Sequence, residues 1–186
     1  MQFQSIKKVQ AGRFITRYDL TYQTELGNEK VYEIISRDQN LDSFEKVKAH
    51  PVDAVVLIMH SPDGEKILLN KEFRMAVGEA VFNFPAGLID PGEAPLQSAR
   101  RELKEETGLD LIRVDDTIRE SYSAVGFANE KNICVVGVAD GIFAKSSSDL
   151  EEIEAGWYTK QEVRELLQTQ PFAARTQAYC YLWSKQ

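Results

Sequence analysis

The sequence has 186 residues, enough for one ordinary domain or for one domain with a small addition. Hydrophobic residues make up 43% and charged residues 27% of the chain, which is typical of a soluble globular protein. The net charge of −7 argues against a nucleic-acid partner, because phosphate backbones select basic surfaces. The longest apolar run, residues 54–59, is far shorter than the ~20 residues of a membrane span, so no membrane partner is expected.

The first residues and the cysteines bear on the compartment. Residues 1–8 lack the apolar core of a signal peptide. Cys134 and Cys180 stand in apolar patterns whose spacing fits neither a metal knuckle nor a disulfide framework. We therefore expect two buried thiols and a cytoplasmic protein.

In chain order, the first predicted element is a small antiparallel sheet. Residues 3–36 alternate and are rich in aromatic and β-branched side chains, with a hairpin signal at Gly27-Asn28. They predict two or three strands, followed by a polar connecting stretch over residues 38–48. We place the domain boundary there, with residues 1–47 as an N-terminal β-sheet subdomain and residues 48–186 as the main domain.

The main domain is predicted to contain mostly strands. Residues 52–59 predict a strand that is buried on both faces, and Asp63-Gly64 turns the chain into a second strand. Thr159 and Glu162 form a capping box that opens a helix to about Thr169. Further strands are expected near residues 113–122, 132–140 and 153–158, and a last amphipathic helix has Phe172, Tyr179 and Leu182 as its apolar points. Strands with few helices predict the α+β class.

Residues 87–109 carry the most specific pattern of the chain. A glycine, a glutamate, an Arg-Glu pair, a Glu-Glu pair and a second glycine stand there at fixed offsets. Pro95 suits a first helical turn and Gly108 the residue after a helix, so a helix is predicted over residues 95–107. Its apolar stripe is formed by Leu96, Ala99 and Leu103.

Three acidic residues are neighbours on this helix. Glu102, Glu105 and Glu106 stand at positions i, i+3 and i+4, where like charges destabilise an isolated helix. Mg²⁺ compensates such repulsion, because proteins hold it by one or two carboxylates together with water and substrate phosphates. The alternative interpretation is a solvated acidic helix.

The segment from Gly87 to Leu109 matches the Nudix box without a departure, and the chain resembles the Nudix hydrolases. The resemblance implies a Nudix-type α/β/α sandwich of mixed sheets, preceded here by the small N-terminal sheet. It also implies hydrolysis of a phosphoanhydride bond in a nucleoside diphosphate derivative, with Mg²⁺ or Mn²⁺ as the cofactor.

The same resemblance assigns roles to residues. The metal ligands would be Glu102, Glu106, the carbonyl group of Ala86 and Glu151. The base would be Asp149, with Glu152 in reserve and Glu105 as the next candidate or a further ligand. Structural roles would fall to Gly87, Glu93, Arg101 and Gly108.

Further features resemble the ADP-ribose pyrophosphatase subfamily. These are the long N-terminal region, the spacing of Glu72-Phe-Arg74 from Pro85-Ala-Gly87, and a glycine-bearing segment, residues 122–130. The likeness departs at Val125, where the subfamily often has proline. It implies conversion of ADP-ribose to AMP and ribose 5-phosphate, a homodimer formed through the N-terminal strands, and substrate contacts by Arg74 and Glu130.

Several alternatives stay open at this point. Other nucleoside diphosphate sugars and CDP-alcohols are alternative substrates, and Arg74 is equally well a surface arginine. The aromatic residues Phe14, Tyr18 and Tyr22 either stack on a base or belong to the strand core. A non-catalytic module that senses nucleotide sugars is disfavoured, because every carboxylate of the motif is retained.

Overall fold

The computed structural model of the protein describes residues 1–148 and 150–186. These residues form two compact units, one of residues 1–53 and 120–132 and the other of residues 54–119 and 133–186. The division of the sequence between residues 47 and 48 remains a prediction. The strands are β1 (Gln2–Ala11), β2 (Thr16–Gln23), β3 (Glu29–Ser36), β4 (Ala54–His60), β5 (Lys66–Arg74), β6 (Glu79–Asn83), β7 (Ala86–Leu88), β8 (Asp110–Tyr122), β9 (Lys131–Asp140) and β10 (Ile153–Thr159), and the helices are α1 (Phe44–Lys48), α2 (Pro95–Thr107), α3 (Lys160–Thr169) and α4 (Ala174–Trp183).

The first unit is built on the antiparallel sheet β1-β2-β3, which confirms the predicted small N-terminal sheet. Tyr18 is fully buried in its core, and its hydroxyl group donates to the Asp38 carbonyl oxygen at 2.8 Å. Tyr18 therefore belongs to the strand core. Phe14 is instead exposed.

Residues 38–48 were predicted as a polar connecting stretch without a helix. That prediction is wrong at its end, because helix α1 lies there. The Ser43 hydroxyl group caps this helix by accepting from the Lys46 amide at 3.3 Å. Phe44 stacks on Phe3, with ring centroids 4.8 Å apart. The short helix forms because the sheet offers its aromatic residue a packing partner, which a local sequence pattern does not reveal.

The second unit is organised around the sheet order β10-β5-β4-β9-β8, with β6 paired to β5 and β7 to β4. Strand β4 sends alternate side chains to opposite faces. Val55 and Leu57 pack with Ala99 and Leu103 of α2, whereas Ile58 packs with residues of α3 and α4. Helices therefore cover both faces of the sheet, which confirms the predicted α/β/α sandwich.

Helix α4 corrects the prediction for the last helix. Phe172 precedes the helix, and Leu182 is exposed. The side chains that α4 buries are Thr176, Cys180 and Trp183. A prediction from apolar spacing misses Thr176, because a polar side chain can be buried when its hydroxyl group has a partner. Here that group donates to Asn83 Oδ1 at 2.8 Å. Among the described residues, no helix combines the length and the apolar character that crossing a membrane requires.

Candidate active site

Helix α2 has the predicted boundaries and positions the acidic residues. It begins at Pro95 and ends at Thr107, and Gly108 closes it with a left-handed φ of 80°. Ala99 and Leu103 are fully buried against the sheet. Leu96 is exposed, so the predicted apolar stripe is shorter than expected.

Gly87 allows the loop before α2 to lie against the helix. Val55 of β4 is paired with Gly87 of β7, which brings residues 86–88 beside the sheet. A Cβ atom at position 87 would collide with the Glu102 carboxyl group. The first glycine of the motif is thus the residue that leaves room for the Glu102 carboxylate.

Glu106 is the most perturbed acid of the site. Its side chain is buried, and its Oε2 atom accepts from Asn70 Nδ2 at 2.7 Å and from the Ala86 amide at 3.3 Å. Burial raises the pKa of Glu106 to about 9, with smaller contributions from the negative charges of Glu102 and Glu72. Burial also raises the pKa of Glu102, and the neighbouring Arg101 opposes that shift.

Asn70 and Glu72 belong to this cluster, although the sequence analysis did not single out Asn70 and gave Glu72 no role of its own. Both lie on β5, and Asn70 is buried with its Oδ1 atom lacking a hydrogen-bond partner among the described residues. The available signal was a polar side chain directly after the apolar run of residues 67–69. An asparagine buried at the end of such a run requires a polar neighbour, which the fold supplies as Glu106.

Arg101 joins the loop to the helix. Its Nε and Nη2 atoms donate to the two carboxylate oxygens of Glu93 at 3.0 and 2.9 Å. Its Nη1 atom donates to Glu102 at 2.7 Å and to Glu105 at 3.2 Å. The two bonds from Arg101 to Glu93, together with one from the Ser98 hydroxyl group, lower the pKa of Glu93 to about 2. Arg101 and Glu93 thus form a clamp that orients the acidic face of α2.

The cluster fits a hard divalent cation. Glu106 is buried without a cationic partner among the described residues, Glu102 offers a second carboxylate, and Asn70 Oδ1 is an unsatisfied acceptor beside Glu106. Among residues 1–148 and 150–186, however, no three His, Cys, Asp or Glu side chains are already arranged around one metal position. Glu102 and Glu105 are instead paired with Arg101, at 2.7 and 3.2 Å.

The acids after β9 lie in a segment that returns to α2. The Ser147 amide donates to the Glu105 carbonyl oxygen at 2.9 Å. Glu151 and Glu152 are exposed and line a surface pocket of about 530 Å³ together with Lys71, Phe73 and Lys145. The negative charge of Glu151 contributes to the raised pKa of Glu102. Asp149, the predicted base, lies outside the described residues.

Arg74 is placed in the second unit, at the end of β5. It is half-exposed, and its Nη1 atom donates to Glu72 Oε1 at 2.6 Å. The guanidinium group therefore lies next to Glu72, whose negative charge helps to raise the pKa of Glu106. Its role in substrate binding stays a prediction.

Glu130 is placed in the first unit and is anchored to β3. Arg37 Nε donates to Glu130 Oε2 at 2.6 Å, and the Ile35 amide donates to the Phe127 carbonyl oxygen at 2.8 Å. Val125 in the same segment is exposed. The glycine-bearing segment is therefore held by β3, and the role of Glu130 stays a prediction.

Comparison with known proteins identifies a solved structure with a similar fold and relatives that are similar in sequence. The chain resembles a structure described as an ADP compounds hydrolase with a TM-score of 0.73 and 18% identity, covering 100% of this chain and 93% of that chain, which shows a shared fold. It is 30% identical over 100 residues to the ADP-sugar pyrophosphatase of Mus musculus, covering 54% of this chain and 44% of the relative.

The ADP-ribose pyrophosphatase of Bacillus subtilis is 34% identical over 85 residues, covering 46% of this chain and 44% of the relative. The matched region thus spans less than half the length of both of these curated relatives. The family model described as the NUDIX domain matches residues 50–180, which include the whole loop and helix of the site. The chain belongs to the Nudix family.

Proposed function

We propose that this protein hydrolyses the phosphoanhydride bond of a nucleoside diphosphate derivative, and that ADP-ribose is cleaved to AMP and ribose 5-phosphate. The observation that carries the proposal is a pair of neighbouring carboxylates on α2, Glu106, which is buried, and Glu102, which is partly buried and for which Gly87 leaves room. The names of the relatives support the choice of an ADP-containing substrate.

Nudix hydrolases generally use divalent metal cations, and we propose Mg²⁺, with Mn²⁺ as a substitute. Glu102, Glu106, the Ala86 carbonyl group and Glu151 would hold it. When bound, such an ion offsets the charge that develops on the phosphate oxygens and lowers the pKa of water. Arg101 keeps the helix carboxylates in orientation, with Glu93 fixing its guanidinium group.

The proposed base is a carboxylate of the segment between β9 and β10. Glu151 and Glu152 are exposed at the pocket described above, which leaves their carboxylates accessible to water. Asp149 is retained as a candidate from the family resemblance alone. The variants Asp149→Asn, Glu151→Gln and Glu152→Gln separate these acids. If all three keep turnover within about tenfold, or ~1.4 kcal/mol, Glu105 becomes the base to test.

Arg74 and Glu130 are proposed as substrate contacts. Arg74 offers a charged fork that suits a phosphate group, and Glu130 offers a carboxylate that is already oriented by Arg37. Each is tested by its amide or lysine variant, Glu130→Gln or Arg74→Lys. A rise in KM with unchanged kcat would support binding without participation in the chemistry.

The test of the activity is a substrate panel in Mg²⁺ with ADP-ribose, a GDP-sugar and a CDP-alcohol. Release of AMP and ribose 5-phosphate from ADP-ribose, lost on chelation of the metal, is the expected result. Reaction in ¹⁸O-labelled water locates the attacked phosphorus from the product that carries the label. Preference for the GDP-sugar or the CDP-alcohol would reassign the substrate. Binding of ADP-ribose without any product would favour a sensing module.

We further propose a homodimer in the cytoplasm. The first unit exposes apolar side chains such as Phe14, Val125 and Phe127, and we propose that these pack on a second copy of the chain. Both cysteines are buried free thiols, as expected in a reducing compartment. Light scattering that gives twice the chain mass of 21.1 kDa would support the dimer, and a monomer at micromolar concentration would contradict it.

A further inference from the structure

The carboxyl end of α2 holds the segment that follows β9. A helix leaves its last carbonyl groups without partners inside the helix. Two of these are satisfied here by backbone amides of residues 142–147, which we name the loop anchor. The Ala144 amide donates to the Thr107 carbonyl oxygen at 3.0 Å, and the Ser147 amide donates to the Glu105 carbonyl oxygen at 2.9 Å.

Gly108 permits this close approach. A Cβ atom at position 108 would lie 2.5 Å from the Ala144 nitrogen, 2.7 Å from the Ala144 Cβ atom and 2.9 Å from the Ile142 carbonyl oxygen. Backbone atoms cannot move aside as the tip of a flexible side chain can. The last glycine of the motif therefore has two physical requirements, a left-handed φ of 80° and the absence of a side chain against the loop anchor.

The loop anchor limits where Glu151 can lie. Glu151 follows Ser147 by four residues, so its Cα atom lies within ~14 Å of that of Ser147. On its other side, the Glu152 carbonyl oxygen accepts from the Phe73 amide of β5 at 3.1 Å. Glu151 is thus held between two backbone attachments, one to α2 and one to the sheet.

We propose that Gly108 is a positioning residue for catalysis: by admitting the loop anchor to the end of α2, it positions Glu151 and Glu152 for action at the acidic face of the helix. This inference rests on the proposed function, since it assumes that Glu151 or Glu152 acts in hydrolysis. The attachment itself is independent of that assumption and can be measured without substrate.

The test compares Gly108→Ala with Gly64→Ala. Gly64, in the turn between β4 and β5, has a φ of 74° and no atom within 4 Å of a Cβ at its position. The control therefore carries the same backbone strain without the collision. In Gly108→Ala, hydrogen exchange at the amides of Ala144 and Ser147 should become at least about tenfold faster, and in Gly64→Ala it should stay as in the wild type.

Kinetics supply the second readout. For Gly108→Ala, kcat should fall at least about tenfold with KM within about twofold, because small displacements of catalytic groups can cost about 100-fold. Ser147→Pro removes the amide that bonds to Glu105 and leaves α2 unaltered, so it should lower kcat similarly even if Gly108→Ala folds poorly. Gly64→Ala should retain the wild-type kcat.

Unchanged exchange at both amides in Gly108→Ala would overturn the proposal. So would equal losses of kcat in Gly108→Ala and Gly64→Ala, or a wild-type kcat in Ser147→Pro. If the wild type hydrolyses no member of the substrate panel while Gly108→Ala still loosens the two amides, the proposed function fails and the attachment by Gly108 stands.

Discussion

Glu93 and Glu106 belong to one loop and helix but meet opposite electrostatic environments. Glu93 accepts hydrogen bonds from Nε and Nη2 of Arg101, and its pKa falls to about 2. Glu106 is buried beside other acids with only amide donors, and its pKa rises to about 9. The chain supplies the countercharge where a carboxylate holds the structure together. Among the described residues Glu106 has no such countercharge, and on our proposal a cation from solution supplies it.

The largest expected effect comes from removing the charge of Glu106. Glu106→Gln keeps the size of the side chain but removes a proposed ligand charge, which is worth several kcal/mol of transition-state stabilisation. We expect hydrolysis to fall at least about 100-fold, measured as kcat/KM for ADP-ribose. Thermal unfolding of the metal-free variant should show no loss of stability, because a buried and poorly compensated acid has been removed.

The matched control is Glu165→Gln on α3, an exposed acid whose Oε1 atom accepts only from Gln161 in the described contacts. It should retain wild-type turnover. If Glu106→Gln remained as active as the control at low Mg²⁺, the electrostatic contrast between Glu93 and Glu106 would have no functional meaning.

The next effect concerns stabilisation by the metal. A ligand at about 100 times its Kd stabilises the folded state by about 2.7 kcal/mol. Addition of Mg²⁺ should therefore raise the Tm of the wild type, measured by calorimetry. The increase should be much smaller in Glu106→Gln and unchanged in Glu93→Gln. Equal increases in both variants would place the cation elsewhere.

A smaller effect is expected from the clamp. Arg101→Lys keeps the charge but loses the fork that joins Glu93, Glu102 and Glu105. Bonds to charged groups contribute about 1.5–3 kcal/mol when well shielded, and partial exposure reduces that, so we expect a loss of about 1–2 kcal/mol in urea unfolding. Arg119→Lys, at an exposed position of β8, is the control and should change little. Comparable losses in the two variants would contradict the clamp.

The smallest effect is the pH dependence due to Glu93. Its pKa in the folded protein is about 2, below its ordinary value of 4.5. Its stabilising contribution is therefore complete above pH 4.5 and is lost as the pH falls towards 2. The Tm of Glu93→Gln should vary less between pH 5 and pH 3 than that of the wild type. If the Tm values of Glu93→Gln and of the wild type changed with pH in parallel, the pKa of Glu93 would be the same in the folded and the unfolded protein, and the prediction would be wrong.

Much of the local structure followed from the sequence. The boundaries of α2 were predicted because Pro95 and Gly108 act on the backbone around them, and the start of α3 because Thr159 and Glu162 satisfy its first amides. The last helix was less well predicted. Its buried Thr176 is satisfied by Asn83, which is distant in sequence.

The candidate site divides in the same way. The sequence by itself determined the family pattern and the acidic face of α2, since both depend on the spacing of residues along the chain. Only the tertiary structure decided that Glu106 is buried, that Asn70 and Glu72 of β5 join it, and that Gly108 admits the loop anchor. Burial and close approach depend on which distant segments pack together, and a pattern along one strand or helix does not contain that information.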